Sequence, residues 1–367
     1  MASESELPAA GMSIGSSLLV PSVQELVKQQ GLATVPPRYA RLDDQDVASL
    51  HQQQPQLPVI DLQSLLDPES MDSELAKLHS ACKDWGFFQL VNHGISSGLL
   101  EEMKAQVQEF FNLPMEEKKK LWQFPGEVEG FGQTFVVSEE QKLDWSDIFY
   151  LVTQPPYLRK PHLLPNLPLP FRDTVEQYSL EVKNLASTIL KHVGKALKIE
   201  GDEEMKDFYE NVRQTMRMNY YPPCPQPERV MGLTPHSDGT GLTVLLQVGQ
   251  VDGLQIKKDG RWVPVKAIPN AFVVNVGDIL EIITNGAYRS IEHRALVNSD
   301  KERLSIACFH SPRYDGETGP AASLITKETP ALFKVVTIRE FYNGLFSRQL
   351  DGKAYIDTLK IQHNEKP

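Results

Sequence analysis

Between Gln214 and Pro312 the sequence is cut at short intervals by turn dipeptides: Asp252-Gly253, Asp259-Gly260, Pro269-Asn270, Gly277-Asp278 and Asn285-Gly286. The runs between them alternate apolar and polar residues, as in Arg303-Leu304-Ser305-Ile306-Ala307-Cys308-Phe309, or are mostly apolar, as in Leu242-Thr243-Val244-Leu245-Leu246. About eight short strands in about a hundred residues predict two facing antiparallel sheets, a jelly roll or double-stranded β-helix. No long helix fits there.

Upstream the period changes. Strands are predicted at Leu57 to Leu62 and Phe87 to Val91. Leu75, Leu78, Cys82 and Trp85 recur at three and four and predict a helix over 73–85 that Gly86 ends. Ser96 caps a second helix with Leu99, Leu100, Met103, Val107 and Phe110 on one face, and Pro114 opens a third. The longest helix is predicted from Phe171 to about Leu197, as a buttress for the sheet, after a proline-dense stretch from Pro155 to Pro170 without helix. Ser22 with Glu25 reads as a capping box for a short helix, and a last helix is predicted from Thr337 to Phe346. Residues 1 to about 20 read as disordered, residues 43–56 as a solvated linker, and Gly126 to Gly132 as a loop near a pocket mouth. The chain therefore reads as α+β. Residues 1–55 form an N-terminal extension, 56–210 a mixed region packing on the core, 211–312 the jelly-roll core, and 313–367 a C-terminal segment, all one catalytic unit.

The strand region also carries the chemistry. Residues two apart in a strand point the same way, so His236 and Asp238 present an imidazole beside a carboxylate. His293 lies on a later strand-like run, and Arg303, Ser305, Ala307 and Phe309 share one face of the next. Two imidazoles and one carboxylate with open positions form the facial set of non-haem Fe(II) oxygenases. A nearby Arg and hydroxyl suit the carboxylate of an acidic co-substrate, because a guanidinium fork matches carboxylate geometry. A zinc hydrolase would also use His and Asp but needs a general base, for which Glu281 and Glu292 are available. His79, His93 and His162 have no partner at metal spacing and read as structural.

Charge and cysteines narrow the setting. Lys and Arg total 37 against 48 Asp and Glu, a net charge of −11, which argues against nucleic acid or an anionic membrane surface as partner. Three cysteines without metal-like spacing give no disulfide framework and fit a reducing compartment. With no secretory signal and no bilayer-length apolar run, a cytoplasmic monomer is the expectation.

The strings Met218-Asn219-Tyr220-Tyr221-Pro222-Pro223-Cys224-Pro225, Leu233-Thr234-Pro235-His236-Ser237-Asp238, Glu292-His293-Arg294 and Arg303-Leu304-Ser305 resemble the plant 2-oxoglutarate/Fe(II)-dependent dioxygenases. Upstream, Pro58-Val59-Ile60-Asp61-Leu62 and Trp85-Gly86-Phe87-Phe88-Gln89-Leu90-Val91-Asn92-His93-Gly94 extend the resemblance. Within that family, Val128-Glu129-Gly130-Phe131-Gly132-Gln133, Leu143-Asp144-Trp145-Ser146-Asp147 and Arg159-Lys160-Pro161-His162 are similar to the branch of senescence-related proteins, poppy alkaloid O-demethylases and norcoclaurine-synthase-like proteins. The resemblance implies Fe(II) held by His236, Asp238 and His293. It implies 2-oxoglutarate bound by Arg303 and Ser305, with Tyr221 donating a further hydrogen bond and Asn219 orienting it. Ascorbate is implied as reductant, and O2 and a small molecule as the other reactants.

The implied activity is hydroxylation or O-demethylation of a small aromatic or alicyclic plant metabolite or hormone, with succinate and CO2 released. Two alternatives stay open: a non-oxidative condensing or ligand-binding relative, and an oxidase that does not use 2-oxoglutarate. For the substrate, Phe309 offers a stacking surface, and Arg217 a group for a polar substituent or for an internal carboxylate. Phe131, Phe135 and Phe149 are candidate pocket walls. Ser311 stands where flavonoid-oxidising members carry an acidic residue, which weakens a flavonoid reading.

Overall fold

The computed structural model describes residues 17–28, 32–41, 55–199, 205–206, 210 and 212–362. The expected disordered tail up to Ser16 and most of the linker at 43–56 lie outside the described residues. Four strands precede the jelly-roll region: β1 (Val59–Asp61), β2 (Phe87–Val91), β3 (Gly130–Gly132) and β4 (Asp147–Gln154). Eight more lie within it: β5 (Arg213–Tyr221), β6 (Leu233–His236), β7 (Leu242–Val248), β8 (Leu254–Lys258), β9 (Arg261–Pro264), β10 (Phe272–Val276), β11 (His293–Ala295) and β12 (Arg303–Ser311). They form two sheets. The larger runs β1-β2-β10-β7-β12-β5-β4-β3 and the smaller β6-β11-β8-β9. Only the β1–β2 pair among these is parallel.

The upstream strands thus extend the large sheet at both edges. Its two faces divide by residue parity. On β5, Met216, Met218 and Tyr220 join the core with Leu304, Ile306 and Cys308 of β12. They pack under the Ser97–Asn112 and Leu169–Ala196 helices, whose apolar stripes include Met103, Val107, Phe111, Val182 and Ile189. The opposite parity (Arg217, Asn219, Tyr221, Arg303, Ser305) faces the small sheet and lines a cavity. One face is a hydrophobic floor, the other a polar site.

Local signals account for most helices. Ser96 caps Ser97–Asn112 by accepting from Leu99 N, and Thr337 with Glu340 forms a full capping box on Ile338–Phe346. The Met71–Ser80 helix continues as a π-helical turn, Ala81–Trp85, which Gly86 closes in the left-handed region at φ 61°. Two 3₁₀ turns, Pro156–Leu158 and Leu164–Asn166, interrupt the proline-dense stretch, and the long helix begins two residues early, at Leu169. The Gly126 to Gly132 segment is not wholly loop, because Gly130–Gly132 pairs with β4 as an edge strand.

Gly86 also sits under the site. A Cβ there would lie 2.3 Å from the Arg289 carbonyl oxygen and 2.5 Å from Ile291 Cγ1. Both neighbours lead into β11. Gly86→Ala combines that clash with a strained φ and is expected to destabilise the fold by about 3 kcal/mol in equilibrium denaturant unfolding. A loss below about 0.5 kcal/mol would mean that β11 yields without cost.

The N-terminal extension docks through a buried carboxylate. Asp147 of β4 accepts from Ser22 Oγ at 2.7 Å, Val23 N at 2.8 Å and Gln24 N at 2.9 Å. It therefore caps the Val23–Lys28 helix from outside, while Ser22 Oγ accepts from Glu25 N at 3.3 Å.

Candidate active site

His236 ends β6 and His293 opens β11, and antiparallel pairing sets them directly opposite each other. Asp238 follows two residues after the strand end. Its Oδ1 lies 3.5 Å from His236 Nε2 and 3.7 Å from His293 Nε2. One ligand atom from each of the three lies within 4.8 Å of the others, and all three residues are buried. No other such cluster of three occurs among the described residues.

Each side chain is aimed by a partner behind it. His236 Nδ1 stands 2.8 Å from the Thr234 carbonyl and His293 Nδ1 3.1 Å from the Ile291 carbonyl. A neutral imidazole in that position carries its proton on Nδ1 and presents the Nε2 lone pair inward. Asp238 Oδ2 accepts from Thr243 Oγ1 at 2.6 Å and Asn275 Nδ2 at 2.8 Å, which leaves Oδ1 toward the histidines. Thr243 and Asn275 belong to β7 and β10, so the large sheet orients a carboxylate carried by the turn after β6.

Burial alone would raise the Asp238 carboxyl, but the His293 and His236 imidazoles and the Asn275 amide hold it well below the usual carboxylate range. Burial, and then the neighbouring His236, push the His293 imidazole down to about 4, so it is neutral at pH 7. A carboxylate and two imidazoles in a facial set fit a divalent transition metal such as Fe(II). Asn275→Ala removes one of Oδ2's two donors. Metal affinity is expected to fall about 10- to 100-fold, measured by Co(II) titration of the apoprotein. An unchanged affinity would show that Thr243 alone suffices.

The residues expected to bind the co-substrate come from β5 and β12 of the large sheet. Tyr221 pairs with Arg303, Asn219 with Ser305, and Arg217 with Ala307. Arg303 is 2% exposed, its Cζ lies 5.2 Å from the Tyr221 ring, and its Nε has no hydrogen-bond acceptor. No carboxylate lies within ion-pair distance of it among the described residues. Burial lowers its pKa, with Tyr221 opposing. A buried guanidinium left without an anion carries a large desolvation cost, and an acidic ligand relieves it. Ser305 Oγ accepts from Asn219 Nδ2 at 3.3 Å, and Asn219 Oδ1 is unpartnered. The residue set therefore fits 2-oxoglutarate: an anion site at Arg303 and a metal set at His236, Asp238 and His293 open onto one cavity.

A second cavity opens on the other side of His236 and Asp238 and shares Arg217 and Phe309 with the first. It is a partly open chamber between Tyr150, Phe135, Tyr342, Leu345 and Phe346. Phe309 and Arg217 line both cavities, and no internal carboxylate pairs with Arg217 among the described residues. Phe135 stacks on Phe346 at 4.9 Å and walls this chamber.

Phe131 and Phe149 do not. They are register partners on β3 and β4 whose parity turns them to the helix side, where both pack on Phe110. Ser311 is buried with its Oγ 2.5 Å from the Tyr342 hydroxyl, so a tertiary contact occupies it. The C-terminal helix residues Tyr342, Leu345 and Phe346 were not expected here. Their one signal was the amphipathic pattern of that helix, which does not say what the apolar face covers.

The remaining candidates are placed elsewhere. His79 Nδ1 meets the Tyr288 hydroxyl at 2.9 Å, His93 Nε2 the Asn270 carbonyl at 2.8 Å, and His162 stacks on Phe124. Glu281 is paired with Lys353 and Glu292 with Lys257, so neither is left as a base for a metal-bound water.

Residues 212–312 match the family model of the 2OG-Fe(II) oxygenase superfamily, and residues 57–168 match the non-haem dioxygenase in morphine synthesis N-terminal model. The chain is 59% identical over 360 residues to Protein SRG1 of Arabidopsis thaliana, covering 97% of this chain and 100% of that protein. It is 55% identical over 355 residues to oxoglutarate-dependent flavonoid 7-O-demethylase 1 of Ocimum basilicum, covering 97% and 95%. Among solved structures, that of JOX2 in complex with 2OG, Fe and JA superposes with a TM-score of 0.83 at 34% identity, over 93% of this chain and 98% of that one.

Proposed function

The chain belongs to the 2OG-Fe(II) oxygenase superfamily, and from that premise we propose that it oxidises a small aromatic or alicyclic plant metabolite or hormone, by hydroxylation or O-demethylation, in the second cavity. The enzyme is a 2-oxoglutarate- and Fe(II)-dependent dioxygenase. The observation that carries the assignment of roles is the pairing of an inward-facing His-Asp-His set with a buried, anion-less Arg303 across one cavity.

His236, Asp238 and His293 hold the iron. Arg303, Ser305 and Tyr221 bind the distal carboxylate of 2-oxoglutarate, and Asn219 orients it. Iron and 2-oxoglutarate, when bound, supply the oxidising power by decarboxylation to succinate and CO2 with O2 as oxidant. The protein's own contribution is positioning. Thr234 and Ile291 fix the imidazole tautomers, Thr243 and Asn275 fix the carboxylate, and the aromatic chamber brings one C–H bond to the metal side of His236 and Asp238.

The flavonoid O-demethylase at 55% identity keeps flavonoids within the substrate class despite Ser311. O-Demethylation is hydroxylation of a methoxy carbon followed by loss of formaldehyde, so one site serves both outcomes. Ascorbate serves as reductant. No helix among the described residues is long and apolar enough to cross a membrane. The reading is a cytoplasmic monomer that does not bind nucleic acid, supported by the net charge of −11.

The test is succinate formation by NMR with Fe(II), ascorbate, O2 and 2-oxoglutarate, with and without a pooled plant metabolite extract. Extract-stimulated succinate that a His236→Ala control loses is the expected result. No succinate from folded, iron-loaded protein would overturn it and favour the 2-oxoglutarate-independent oxidase or the non-oxidative reading.

A further inference from the structure

The second cavity holds two guanidiniums that the proposed chemistry does not use. Arg213 is 4% exposed and Arg217 9% exposed, and both line the chamber. Arg213 is clamped by aromatic faces, its Cζ 4.1 Å from the Tyr314 ring centre and 5.6 Å from that of Tyr342. Cation–π contacts engage the flat faces of a guanidinium and leave its in-plane N–H groups for other partners, of which the Tyr150 hydroxyl takes one. The structure places no acceptor against Nε of Arg213 or of Arg217. Neither has a carboxylate within ion-pair distance among the described residues. The carboxylate that faces Arg213 is Glu129, which is committed to Val152 N at 2.9 Å and lies 3.8 Å from Lys160.

Among the described residues, the only carboxylate lining the chamber is that of Asp238. In the loaded enzyme the two charges of Fe(II), the two of 2-oxoglutarate, Asp238 and Arg303 cancel. That leaves Arg213, faced at a distance by a Glu129 that Lys160 also engages, and Arg217 as two positive charges without an ion-pair partner among the described residues, in a space walled by Phe309, Phe135 and Phe346. An anionic oxygen group on the substrate would pair with them, and an ammonium would be repelled.

Resting on the function proposed above, we propose that the chamber selects an aromatic substrate bearing a carboxylate, held by Arg213 with Arg217, and rejects cationic amines. Tyr314 and Tyr342 hold the Arg213 guanidinium in place so that its edge points at the ligand. Arg213 sits four residues before Arg217 on the same strand face, so the anion binds at the end of the chamber away from the Arg303 site.

Three probes share one ring and differ in charge: 4-methoxycinnamate, its methyl ester and 4-methoxyphenethylamine. Each is equilibrated by anaerobic dialysis, at millimolar concentration, with the full chain loaded with Fe(II) and 2-oxoglutarate, and the retained fraction is measured by chromatography. The acid is expected to bind at least about tenfold more tightly than the amine, since a charge-assisted hydrogen bond is worth tenfold or more. Arg213→Met is expected to cost the acid about tenfold and leave the ester unchanged, while Arg213→Lys recovers part of the loss. Circular dichroism of both variants verifies that they fold.

Equal or tighter binding of the amine overturns the proposal. So does a preference for the acid that survives in both Arg213→Met and Arg217→Met, or retention of none of the three probes. Probe-independent succinate from the unaltered enzyme reports the dioxygenase reading separately, and it persists if only the charge selection is wrong.

Discussion

Asp238→Ala is expected to reduce succinate formation by on the order of 10³-fold, the largest single effect in the chain, since a metal ion contributes several kcal/mol to such a reaction. The carboxylate is the only anion of the ligand set, and two donors, Thr243 Oγ1 and Asn275 Nδ2, are built around its other oxygen. Removing it leaves His236 and His293 as a two-nitrogen site and strands both donors in a buried space. Asp238→Asn separates the two consequences. It keeps the shape and loses the charge, so metal binding should fall as in the alanine variant while stability is better preserved. Metal content by atomic absorption and turnover by succinate NMR check both. Turnover within about tenfold of the unaltered enzyme would remove Asp238 from the metal site.

Arg303→Met gives the second largest effect, and its signs are opposite for function and for stability. Two charge-assisted hydrogen bonds to a carboxylate are worth about 3 to 5 kcal/mol, so 2-oxoglutarate affinity should fall on the order of 10²- to 10³-fold. The ligand-free protein should be no less stable than before. Arg303 is buried with an orphaned Nε and no ion-pair partner, so Tyr221 compensates its desolvation only in part until an acid binds, and a methionine of similar length carries no such cost. Thermal unfolding with and without 2-oxoglutarate reads both quantities at once: the stabilisation by ligand should vanish while the ligand-free midpoint holds or rises. Arg303→Lys should recover little, because an ammonium cannot reproduce the planar fork. A ligand-free protein that unfolded many degrees lower would show that Arg303 is a structural cation.

The candidate residue types were legible in the sequence because most of them lie on short strands, although Asp238 stands two residues past the end of β6. His236 and His293 end and begin short strands, and Arg303 and Ser305 alternate on β12 with Leu304 and Ile306. Turn dipeptides marked where those strands break, and cap residues such as Ser96 and Thr337 marked where helices start. Phe131 and Phe149 show where that reasoning stops. Their apolar character fits either face of the sheet, and only the β3–β4 register turns them toward Phe110.

The sequence by itself determined the strand-rich core, the inward alternation and the residue types that bind a metal and an acid, because these depend on local period and side-chain chemistry. The tertiary structure alone decided what surrounds them. Asp147 caps a helix 123 to 125 residues away in sequence, Asn275 steadies Asp238 from the opposite sheet, and Tyr342 and Phe346 close the chamber from the C-terminal helix. Such contacts join segments whose separation along the chain leaves no local trace, so substrate selection is set by packing between elements rather than by any one of them.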